Sequence, residues 1–99
     1  MASWRIFIMI YVRFFGGNGY CGCDYEEYHA YDNDDITKAE LEQIAVDMAY
    51  ENAEQYEYVV TGWQEDWESE EDRESYYEDA LSYCGWEYCS KEEYEDNVM

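Results

Sequence analysis

All 26 acidic residues of this chain lie after residue 15, where only Lys38, Arg73 and Lys91 oppose them. Three positive charges against 26 negative ones leave that stretch at −23, and Arg5 and Arg13 bring the whole chain to −21. Self-repulsion on this scale works against any compact state. A fold is open to the chain only if the carboxylates stay at the surface and other residues supply a core. The aromatics can do so: 13 Tyr, 4 Trp and 3 Phe make up 20% of the sequence, and each buries a large area. Simple disorder, which goes with few aromatics, is excluded. Ninety-nine residues predict one domain, 1–99, with little stability to spare. No proline interrupts its helices or strands.

The charge also restricts function. Direct nucleic-acid binding needs Lys and Arg to displace counterions, so the sign is wrong for it. Anionic membranes repel such a chain. Cations and basic protein surfaces remain. The uncharged run from Ile6 to Val12 is too short to span a bilayer. Arg13 breaks what would be a signal-peptide core, and no small-residue cleavage site follows. The expectation is a cytoplasmic protein.

Residues 4–15, WRIFIMIYVRFF, alternate. Trp4, Ile6, Ile8, Ile10, Val12 and Phe14 share one face. Arg5, Phe7, Met9, Tyr11, Arg13 and Phe15 share the other. The β-branched and aromatic content predicts a strand with the first face in the core and the arginines near its ends. Gly16, Gly17, Asn18 and Gly19 mark a turn, and a second strand over 23–31 closes a β-hairpin. Thr37 and Glu40 make a capping box, with Ile36 and Leu41 as its hydrophobic staple. The helix it opens carries Leu41, Ile44, Ala45, Met48, Asn52, Tyr56, Val59 and Trp63 along one side and ends at Gly62. Ser69 with Asp72 opens a second helix, with Tyr76, Tyr77, Ala80, Leu81 and Cys84 as its apolar stripe and Gly85 as its end. Residues 86–89 fit a short third strand, and Ser90 with Glu93 a short last helix. The expected fold is α+β, a small antiparallel sheet with two main helices on one face.

Constellations for chemistry are thin. Cys21 and Cys23, with Cys84 and Cys89, could form a four-thiolate zinc site, but C-x-C and C-x-x-x-x-C are not the usual knuckle spacings. Packing as small hydrophobes is the competing reading. An EF-hand beginning at Asp32 fails, with Ile36 at its fifth position, no glycine at its sixth and Gln43 at its twelfth. His29 is the sole histidine, and no nucleophile signature surrounds any cysteine. Gly16–Gly19 sit inside a hairpin rather than before a helix, so no phosphate loop is present. Neither an enzyme nor a cofactor is expected.

The acidic faces are the strongest signal. The stretch 65–79, EDWESEEDRESYYED, holds Glu65, Asp66, Glu68, Glu70, Glu71, Asp72, Glu74, Glu78 and Asp79 against Arg73 alone, with Tyr77 among them. The preceding helix adds Glu51, Glu54 and Glu57. Glu70, Glu74 and Glu78 form one row at i, i+4 spacing, where like charges cost helix stability. Such a run is ordinarily a solvated face, and Glu70, Glu71 and Asp72 also suit a helix N-terminus. Solubility, however, asks for a net charge of only about 2–8 with mixed signs. The excess points to a partner.

In size, single-domain character and richness in Asp, Glu and Tyr, the chain resembles the small acidic phage-encoded proteins that block host defence, the anti-CRISPR and DNA-mimic class. The phrases NGYCGCDYEEY (18–28) and WESEEDRESYYEDALSYC (67–84) look like those of small phage proteins. The resemblance implies an inhibitor that acts in the bacterial host cell and occupies the nucleic-acid-binding surface of a defence nuclease of CRISPR-Cas type. Two alternatives stay open. One is an inhibitor or interaction module that binds through aromatic packing, with the tyrosines and Trp63, Trp67 or Trp86 as anchors. The other is a small cysteine-ligated zinc protein.

Overall fold

The structure is a computed structural model that describes residues 8–62 and 66–98. Its elements run β1 (Met9–Gly16), β2 (Tyr25–Asp32), α1 (Lys38–Gln55), α2 (Glu57–Thr61), α3 (Glu70–Tyr83), β3 (Gly85–Cys89) and α4 (Lys91–Val98). The expected α+β class is what forms. The strands make one antiparallel sheet in the order β2-β1-β3, with the apolar strand at the centre.

The alternation of β1 holds where both neighbours flank it. Val12 and Phe14 are fully buried and Ile10 packs against them, beside Leu41 and Ala45 of α1. Ile8 precedes the first ladder pair, Met9 with Asp32, and stands 57% exposed rather than in the core. Trp4, Arg5, Ile6 and Phe7 lie outside the described residues. Arg13 sits in mid-strand, not near an end, because both neighbouring strands bring it a carboxylate. Its Nε donates to Glu26 at 2.7 Å and its Nη1 to Glu87 at 3.0 Å.

α1 starts at the predicted box: Thr37 Oγ1 accepts from the Glu40 amide while Glu40 accepts from the Thr37 amide. It stops at Tyr56, short of the expected end, and α2 follows as a separate turn. Gly62 caps α2 in the left-handed conformation (φ 66°), which costs glycine little. The buried line of α1 is Leu41, Ala45, Ala49 and Ala53 at strict i, i+4 spacing. Val59 is exposed, and Trp63 lies outside the described residues. Small side chains along that line admit α3 closely, and Ala53 forms a second core cluster with Tyr76 and Ala80.

Ser69 caps α3 as expected, accepting from the Asp72 amide at 3.1 Å. Gly85 does not cap its end. It opens β3, where a Cβ would come within 2.8 Å of the tip of the Phe15 ring, so any larger residue would make that ring shift. The last helix forms after Ser90, whose Oγ accepts from the Glu93 amide. It lies on the opposite face of the sheet from α1, with the Tyr94 ring 5.1 Å from that of Tyr11. Helices thus cover both faces, because the outward side of β1 offers Tyr11 as a second apolar seat.

Candidate functional site

α3 is built with an inward stripe of Tyr76 and Ala80, and its acids are turned to solvent: Glu70, Glu71, Asp72, Glu74, Glu78 and Asp79 are all exposed. Glu70, Glu71 and Asp72 in the first turn meet the positive end of the helix dipole. Glu74 and Glu78 lie beyond that compensation.

The few bases divide the carboxylates into two populations. Arg13 holds Glu26 and Glu87, and its guanidinium keeps the Glu26 carboxyl below the usual range. Lys91 pairs with Glu95 at 3.7 Å. Arg73 reaches Glu57 at 3.7 Å and Glu70 at 3.9 Å. Glu54, Glu74 and Glu78 take part in no ion pair among the described residues.

The predicted acids are distributed around the helix axis, and Glu54, Asp66 and Glu70 share a depression of about 800 Å³ that lies between two others. Glu54 of α1 meets Glu74 and Glu78 of α3 around a groove of about 310 Å³ that Tyr50, Arg73, Tyr77 and Leu81 also line. On the other flank of α3, Asp66, Glu68, Asp72 and Asp79 line a depression of about 490 Å³ with Trp67 and Tyr76. Glu51 and Glu71 are exposed but line neither. Glu65 lies outside the described residues.

Glu57 departs from its sequence reading as one more surface acid. The break at Tyr56 turns it half-inward, where Oε1 accepts from the Tyr77 hydroxyl at 2.6 Å and the Trp67 indole at 3.4 Å. Burial, then this hydrogen bond, push the Tyr77 phenol well up. Sequence reasoning also missed Tyr50, whose ring stacks on Tyr77 at 5.8 Å and 27°. Its position four residues before Glu54 was the available signal.

Of the tryptophans offered as anchors, Trp67 and Trp86 are engaged in the fold, and Trp63 lies outside the described residues. Trp67 packs on the second core cluster. Trp86 packs on the first and donates its indole N–H to Glu42 at 3.1 Å. Exposed aromatic area falls instead to tyrosines, among them Tyr50, Tyr83 and Tyr88. The cysteines are free: Cys21 is exposed, Cys23 buried, and Cys84 and Cys89 half-buried. Burial raises the Cys84 and Cys89 thiols. Among the described residues no three His, Cys, Asp or Glu side chains converge as a metal site. His29 stands between the rings of Phe14 and Tyr31. The acids that suggested an EF-hand form a turn, with the Asp34 amide donating to Asp32 Oδ1.

Among the described residues no helix is long and apolar enough to cross a membrane. No protein-family model, curated protein or solved structure matches the chain.

Proposed function

We propose that this protein is an acidic inhibitor that docks on the nucleic-acid-binding surface of a bacterial defence nuclease, of CRISPR-Cas type, by presenting the charge of a DNA strand. It is non-catalytic in this reading and acts in the cytoplasm of the host cell. The supporting observation is the set of exposed carboxylates on α3 and α1, among them Glu54, Glu74 and Glu78, that pair with no cation among the described residues. From Glu70 to Asp79 there are six acids and one base. At ~1.5 Å rise per residue, five net charges over ten residues come to about one per 3 Å. One strand of duplex DNA carries one per ~3.4 Å of axis. Counted around its whole circumference, the helix thus carries charge at about the linear density of one strand, divided between its flanks, on a rigid support that has already met its ordering cost.

Tagged protein is incubated with a lysate of bacteria that carry defence nucleases, at low and at high salt. The expected result is retention of a nucleic-acid-binding nuclease that salt or competing duplex DNA releases, since screening weakens exposed charge. Charge reversal at Glu54, Glu74 and Glu78 to Lys should end retention and inhibition together. Retention that survives high salt, DNA and the triple reversal would overturn the reading in favour of aromatic packing.

A further inference from the structure

The groove between α1 and α3 has a chemistry beyond its negative charge. Its floor is the Tyr50–Tyr77 stack, and Tyr50 keeps 44% of its surface exposed. Tyr77 is held in place through its hydroxyl by Glu57. The molecule already places one guanidinium on this floor: Arg73 Cζ lies 5.1 Å from the centre of the Tyr77 ring. Its ion pairs there, at 3.7 and 3.9 Å, go to Glu57 and Glu70. The rim carboxylates Glu54, Glu74 and Glu78 therefore remain for a second cation beside the exposed Tyr50 ring.

We propose that this groove is a slot for an arginine side chain of the partner, its guanidinium laid on Tyr50 and paired with Glu54, Glu74 and Glu78. The proposal rests on the reading of the acidic face as a docking surface for a basic partner, and adds to it a preference for arginine over lysine. A guanidinium is planar and weakly hydrated, so it stacks on an aromatic face while its N–H groups reach carboxylates at the edge. An ammonium is compact and strongly hydrated, and it gains less from the ring. Charge complementarity selects this occupant. A second copy of the chain would bring another −21 to the same face.

The test uses the full chain with oligo-arginine and oligo-lysine peptides of equal length, titrated calorimetrically at fixed salt. The arginine peptide should bind more tightly, and Tyr50→Leu should cut that advantage by about two- to five-fold, the share of an exposed cation–π contact. Lysine-peptide affinity should hardly move. Tyr50→Phe keeps the ring and should keep the preference, which separates the slot from a folding defect. An arginine advantage that is unchanged in Tyr50→Leu overturns the slot. If Glu54→Gln/Glu74→Gln/Glu78→Gln still weakens both peptides in that case, the acidic docking face stands without it. Affinities insensitive to that triple variant overturn the docking face and the slot together.

Discussion

The Tyr76 hydroxyl donates to the Ala53 carbonyl at 2.7 Å, and so satisfies one of the carbonyls that α1 leaves open at its C-terminal end. The same oxygen accepts from Asn18 Nδ2 at 3.1 Å. Asn18 is buried in the hairpin connection and is the one buried polar residue among those described. Nearby, Asn52 of α1 donates to the Cys23 carbonyl at 2.9 Å. The hairpin loop, α1 and α3 are thus tied where the chain bends at Tyr56.

Tyr76→Phe deletes the central atom of that relay and leaves a buried amide and a buried carbonyl unsatisfied. The expected cost is about 1–3 kcal/mol, read as a lower midpoint in urea with an unchanged slope. Asn18→Ala should cost a similar amount, and the double variant less than the sum, since both break one network. Strict additivity would mean that the two bonds act independently.

Carboxylates on neighbouring helices should differ in the sign of their effect. Glu57→Ala removes the acceptor of Tyr77 and Trp67 and should destabilise by about 1.5–3 kcal/mol, the range for hydrogen bonds to a charged group. Glu78→Gln relieves repulsion with Glu74 at i, i+4 and should stabilise by about 0.2–0.5 kcal/mol. Thermal unfolding of the two variants checks both. Equal shifts of the same sign would show that position, rather than total charge, has been given too much weight.

Stability should fall steeply in alkali. Burial raises the phenols of Tyr25, to about 12, and of Tyr31, Tyr76 and Tyr77 above the ordinary value of 10.0. A raised folded-state value means that the unfolded chain loses its proton first. The stability these neutral phenols contribute is therefore complete below about pH 10. It declines as pH rises past that point, and the Tyr25 share is gone above about 12. Phenolate absorbance from Tyr25, Tyr31, Tyr76 and Tyr77 should appear only with cooperative loss of circular dichroism. Titration of all 13 tyrosines together, with the fold intact, would contradict the burial.

Neighbouring residues alone determined much of this protein. The stops and starts at Thr37, Ser69 and Ser90 were legible because a cap is a bond to an amide three residues away. The core face of Val12 and Phe14 was legible because side chains alternate along a strand. That acids crowd α3 was legible too, since a helix keeps residues three and four apart together. Tertiary structure decided what depends on partners far along the chain. Arg13 is stable in mid-strand because Glu87 comes from 74 residues away. The helix stops at Tyr56 where Tyr76, 23 residues beyond Ala53, takes its carbonyl. The separation of one acid held inside, Glu57, from those left facing solvent, Glu54, Glu74 and Glu78, was set the same way. Identical carboxylates differ only in the donors that folding brings to them, and sequence spacing cannot contain those donors.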